Sequence, residues 1–246
     1  MLNDILILFC IALAAGVLAF FIPRFDSSNY KLVLVFAGAY LFSITIIHIL
    51  PELFHEGTNP SLLGICVLGG FFAQQVLEFL SSGVEHGHIH VHHGTHSHKE
   101  TSAFMVLLAL VIHSFMEGGM LAHPLAAGHH GNSNTLLWGI LLHKAPEAFA
   151  LMSVLLCDLK SKTKAFIFLI IFCAASPLGL FVSNFLLHHE LMPTHIFTFL
   201  FAVVSGNFLH ISTTIVFESS LDHKFNGKKT GIAIAAAIMA VLAEVI

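Results

Sequence analysis

Residues 111 to 122 read VIHSFMEGGMLA and residues 136 to 152 read LLWGILLHKAPEAFALM, two apolar segments that carry charge where charge is costly. On an α-helix, His113 and Glu117 stand four residues apart and share a face, and His143 and Glu147 repeat the arrangement. Each segment thus offers an imidazole and a carboxylate from one stripe. A lone ionisable group in hydrocarbon costs roughly 3 kcal/mol on insertion scales. Two acids, two histidines and Lys144 in two segments therefore demand partners, and a divalent cation held between the helices supplies one. A buried His or a Glu–Lys pair needs no metal. Two His-x-x-x-Glu pairs on consecutive helices, with Gly118 and Gly119 beside the first, favour a functional site.

The rest of the chain sets that cost. Of its 246 residues 57% are apolar and 10% charged, about half the charged share of a soluble domain. The composition is that of a chain living in a lipid bilayer, with 24 Phe and with Gly and Pro inside apolar runs. The net charge of -4 marks no nucleic-acid surface, because the basic residues form no patch. Cys10, Cys66, Cys157 and Cys173 show no paired spacing and read as small buried hydrophobes. Arg24 follows the first apolar run and nothing basic precedes it, so a spanning helix is expected there rather than a cleaved signal.

At about 20 apolar residues per crossing, the reading is an all-α polytopic membrane protein. Its spans are 4–22, 32–50, 61–80, 102–122, 135–156, 165–187, 194–217 and 230–246, forming one domain over 1–246. Nine of the ten basic residues fall in alternate loops: Arg24 and Lys31, then Lys99, then Lys160, Lys162 and Lys164, then Lys224, Lys228 and Lys229. The positive-inside rule assigns those loops to the cytoplasm and leaves both termini outside, in a multi-pass plasma or inner membrane protein. Lys144 is the exception, inside the fifth span.

Other polar groups are placed by this frame. The second span ends HILPELFHE, where His48 and Glu52 form a candidate entrance, while Pro51, His55 and Glu56 read as a helix stop. Gln74, Gln75 and Glu78 in the third span must face protein or a cavity, most simply as packing contacts. A His-rich cytoplasmic loop spans 81–101, with His86, His88, His90, His92, His93, His96 and His98 alternating with small or polar residues. It lacks the fixed spacing of a structural site and reads as a loose metal acceptor or sensor, with a plain linker as the alternative. His123, His129, His130, His188, His189 and His195 are scattered over other loops and carry little weight. The seventh span is polar along its length at Asn207, His210, Ser212, Thr213 and Thr214, and Glu218 with His223 forms a candidate exit.

Two imidazoles and two carboxylates form a ligand set of borderline hardness, suited to Zn2+ and tolerant of Fe2+, Mn2+, Co2+ or Cd2+. Mg2+ and Ca2+ prefer cages made of oxygen alone. Pro146 deprives the Leu142 carbonyl of its helical donor and is expected to loosen the fifth helix, as unwound backbone does in transporters. Pro177 is expected to kink the sixth.

HSFMEG at 113–118, HKAPEA at 143–148 and HILPE at 48–52, together with the His-rich loop, resemble motifs of the ZIP family of zinc-regulated, iron-regulated transporter-like proteins. The resemblance covers nearly the whole chain. It implies a 3+2+3 bundle, with the first and last three helices as inverted repeats around the fourth and fifth. It also implies import of divalent metal into the cytosol by alternating access, often as a homodimer. By position it makes His113, Glu117, His143 and Glu147 the metal ligands and Ser114, Lys144 and Ser176 the positions of an adjoining second metal. Here Ser114, Lys144 and Ser176 depart from the family's usual Asn and acids, and a fixed ammonium repels a second cation. A mononuclear site is expected.

The competing reading is an intramembrane zinc hydrolase with an acid as general base. It is disfavoured because His-Glu-x-x-His is absent and no separate base stands out. A metal-sensing receptor would need a larger cytosolic relay than any loop here provides.

Overall fold

The computed structural model of the chain describes residues 1–21, 27–57, 59–81, 103–123, 134–159, 161–218 and 226–245. Every regular element among them is helical. In order they are α1 (Leu2–Phe21), α2, α3 (Pro60–Ser81), α4 (Ala103–Met120), α5 (Asn134–Asp158), α6 (Lys162–His188), α7 (Thr194–Glu218) and α8 (Gly227–Val245). The span α2 begins as Ser27–Ile44, widens into a π-helical turn at Thr45–Ile49 and continues as Leu50–Glu56. All but α8 are long and apolar enough to cross a membrane. α8 carries Lys228, Lys229 and Glu244 near its ends, where such side chains reach toward water.

Three expectations change. Pro51 does not stop the second helix, which runs on to Glu56. Its ring crowds the carbonyl four residues back. That residue, Ile47, lies in the widened turn, which makes the room. Pro146 leaves α5 helical from Asn134 to Asp158, without unwound backbone. Finally, Gln74 is fully buried but Gln75 is exposed. Adjacent residues on a helix point about 100° apart, and that turn carries Gln75 off the face that buries Gln74.

Packing divides the helices into two groups. α4 lies along α6, α1 along α5 and α6, and α5 along α6; α3 lies along α7 and α2 along α8 and α7; α2 against α5 and α3 against α4 join one group to the other. Exchanging α1 with α6, α2 with α7, α3 with α8 and α4 with α5 turns the α1–α5 contact into α6–α4 and the α3–α7 contact into α8–α2. The exchanged helices differ by an odd number of crossings and so run in opposite directions, the signature of an inverted repeat.

Small residues bring the backbones together. A Cβ added to Gly118 would stand 1.9 Å from the Ser176 carbonyl oxygen, and one on Gly179 2.0 Å from that of Phe115. α3 and α7 cross in the same way, with Gly70 against the Val203 carbonyl and Gly206 against that of Val67, each at 1.9 Å. In lipid, where hydrophobic burial drives little between helices, such close crossings supply the van der Waals contact. Asn207, with its amide turned to donate 2.7 Å to the Gly70 carbonyl and 3.2 Å to that of Val203, seals the second crossing.

Two apolar clusters occupy the two ends of the bundle. One gathers Val106, Leu110, Leu151, Leu155, Leu169 and Phe172; the other gathers Met120, Leu136, Ile140, Leu180, Phe201 and Phe208. Residues 113–117 and 143–147 fall between them in sequence on α4 and α5, and so at mid-height. His113 stands ten residues into α4, about 15 Å along it.

Candidate metal centre

α4 and α5 present their polar stripes to each other. His113, Glu117 and His143 are fully buried, and each offers a ligand atom within 4.8 Å of the other two. His113 Nε2 lies 2.8 Å from Glu117 Oε1, one helical turn away, and His143 Nε2 lies 3.9 Å from the same oxygen. The two imidazole rings meet edge to face, with centroids 5.8 Å apart.

The other carboxylate oxygen faces a different partner. Lys144 Nζ donates to Glu117 Oε2 at 2.8 Å and lies 3.4 Å from Glu147 Oε2. It also donates to Ser114 Oγ and sits 4.7 Å over the Phe172 ring. Glu117 is thereby split, with one oxygen toward the imidazoles and one toward the ammonium. Glu147 lies across Lys144 from that carboxylate and is held by the same cation. The ammonium is 1% exposed and the two acids not at all, so their charges are compensated inside the protein, as burial requires.

α6 closes the centre. Ser176 Oγ donates 2.8 Å to the Ser114 carbonyl, one turn from the Gly118 crossing. The three positions Ser114, Lys144 and Ser176 therefore line one side of the cluster, linked through Ser114.

The remaining candidates are dispersed. His48 and Glu52 are buried on α2, and His48 Nδ1 lies 2.8 Å from Glu244 Oε1 of α8, a partner not apparent in the sequence. Glu78 on α3, read as packing, pairs with His210 on α7 at 2.5 Å. Glu218 ends α7. His223 and the loop histidines His86, His88, His90, His92, His93, His96 and His98 lie outside the described residues, as do His129 and His130. His123, given little weight, is buried just past the end of α4, with its ring centroid 5.2 Å from that of Phe201. Burial pushes its pKa down to about 4.

Nitrogen and oxygen ligands converging from two helices at mid-height suit a transition metal better than Mg2+ or Ca2+. A family model described as ZIP Zinc transporter matches residues 85–243, well over half of the chain. No curated protein matches it.

Proposed function

The chain belongs to the ZIP zinc transporter family and is a multi-pass divalent metal transporter, and from this we propose that it moves zinc into the cytoplasm through one intramembrane site. The observation that carries the reading is the convergence of His113, Glu117 and His143 from α4 and α5 within 4.8 Å, fully buried. His113 and His143 supply nitrogen, Glu117 supplies oxygen through Oε1, and Glu147 completes the set once the ion draws it from Lys144. Fe2+, Mn2+, Co2+ and Cd2+ share enough of this ligand preference to compete.

The site is mononuclear in this reading. Lys144 stands between both carboxylates, where it supplies the positive charge that a second cation would bring. The grouping of the helices supports alternating access, with α1, α4, α5 and α6 carrying the site against α2, α3, α7 and α8. Metal and protons compete for the same His and Glu atoms, so acidification aids release.

The basic residues support the direction. Lys31, Lys162, Lys164, Lys228 and Lys229 lie near the N-terminal ends of α2, α6 and α8, which alternate crossing puts on one face. That face is cytoplasmic by the positive-inside rule, with both termini outside. The membrane is the plasma or inner membrane, and the chain is a single transmembrane domain acting as a homodimer. Its 81–101 loop offers the delivered ion weak imidazole ligands, and Glu218 and His223 line the exit. The intramembrane hydrolase is set aside, because the family is one of transporters.

Uptake of radioactive zinc by vesicles containing the purified protein tests the proposal. Accumulation by the wild type, lost in Glu117→Gln, His143→Ala and Glu147→Ala, is the expected result. Equal uptake by wild type and all three variants would refute it.

A further inference from the structure

A divalent ion brings the acids of the centre their counter-charge, but a carrier that has delivered its ion must return without one. In that state Glu117 and Glu147 are still wholly buried, and an uncompensated carboxylate inside a membrane protein is costly. Among the described residues Lys144 is the one buried lysine. Its Nζ lies 2.8 Å from Glu117 Oε2 and 3.4 Å from Glu147 Oε2, so the two acids share one ammonium.

The surroundings of that ammonium matter as much as its reach. Ser114 Oγ accepts a hydrogen bond from it, and it sits over the Phe172 ring. Ser114 and Glu117 belong to α4, Lys144 and Glu147 to α5, and Phe172 to α6. Each of these groups lies on the helices that carry the site, and none comes from α2, α3, α7 or α8. The compensated cluster can therefore travel as a unit.

The two acids hold the ammonium differently. Glu117 turns Oε2 to Lys144 and Oε1 to the imidazoles, so it can keep the ammonium while it takes an ion. Glu147, on the longer of the two contacts, is the arm that exchanges ammonium for ion.

We propose that Lys144 is a tethered stand-in for the cargo. With the ion gone, its ammonium closes back on Glu147 and lets the empty site cross the membrane, so that net uptake needs no second ion to ride back. The proposal rests on the transport reading and deepens it, assigning the return step to one positioning residue. Charge counting supports it. With neutral imidazoles, two carboxylates and one ammonium leave the empty site with a single negative charge, and a divalent ion leaves it with a single positive one. Without the ammonium the loaded site is neutral and the empty one doubly negative. Desolvation cost rises steeply with charge, so its loss strands the empty state alone.

Two modes of uptake isolate the return step. Vesicles containing the full-length protein are filled with zinc-free buffer and a chelator, or with unlabelled zinc. Radioactive zinc is added outside at saturation, with equal pH on both sides and the membrane potential held at zero by potassium and valinomycin. Net uptake into the first set requires the empty site to return, whereas exchange in the second lets the carrier return loaded. The ratio of net uptake to exchange is expected to fall about ten-fold or more in Lys144→Met and Lys144→Gln. A lysine that only braced the fold or tuned zinc affinity would lower both modes together, and an unchanged ratio in the folded variants would overturn the proposal. The wild type supplies a second measurement that holds even if neither variant folds. Its net uptake is expected at a rate comparable to exchange, and exchange with almost no net uptake would also overturn the proposal. Failure of the wild type in both modes would instead count against the transport reading.

Discussion

Lys144→Met removes an ammonium that lies 2.8 Å from Glu117 and 3.4 Å from Glu147. At an effective dielectric of about 20, unit charges at those separations attract by about 6 and about 5 kcal/mol before desolvation is subtracted. The ammonium also regains hydration on unfolding, so the net loss is nearer the roughly 3–5 kcal/mol seen when a buried pair is broken from one side. The metal-free variant is therefore expected to melt well below the wild type in detergent. Zinc, now the only counter-charge offered to the two acids, should restore much of the difference. Isothermal titration of the purified proteins reads the same event as stoichiometry. One tightly bound zinc per wild-type chain is expected, and two per Lys144→Met chain, with Lys144→Gln as the variant that keeps a polar side chain there and weak loop binding common to all three. Two tight equivalents in the wild type, or one at unchanged affinity in both folded variants, would refute the assignment of Lys144 as the second cation.

Other outcomes follow from packing and titration. Gly118→Val drives a side chain into the Ser176 carbonyl, which a Cβ alone would approach to 1.9 Å. It is expected to cost about 1–3 kcal/mol and to weaken zinc binding by parting α4 from α6. Gly64→Ala, which meets nothing within 4 Å, should instead gain up to about 1 kcal/mol, and thermal melting compares the two. His123 has its pKa pushed from 6.5 down to about 4. Between those values the unfolded chain holds the extra proton, so its contribution is complete above pH 6.5 and is lost as pH falls toward 4. That loss reaches at most about 3 kcal/mol, and His123→Phe should flatten the melting profile across the window. Zinc affinity measured by titration should fall with pH, because each ligand must shed or refuse a proton to bind; affinity that is level from pH 7 to pH 5 would contradict the His and Glu ligands.

Much of this was legible along the chain because helical periodicity is local. His113 with Glu117 and His143 with Glu147 share stripes by their spacing alone, and the apolar runs mark the spans without tertiary information. The lysine beside His143 announced an internal counter-charge, and the structure puts it between the two acids. What stayed hidden depends on contacts between distant helices. Glu244 lies 196 residues from His48, and Glu78 lies 132 from His210, separations that no pattern within one helix connects. The repeated His-Ile at 48 and 210 was the available signal, visible only once α2 is known to correspond to α7. Pro51 reads as a breaker that ends the second helix at 50, whereas a π-helical turn absorbs its ring and the helix runs to Glu56. Polarity groups Gln75 with Gln74, but the turn of about 100° between them leaves Gln75 exposed.

The most direct test of the centre is an anomalous difference map at the zinc edge from crystals of the zinc-loaded protein. One strong peak per chain is expected between α4 and α5, within bonding distance of His113, Glu117 and His143. Strong density elsewhere with none between those helices, or a second strong peak beside Ser114 and Ser176, would contradict it.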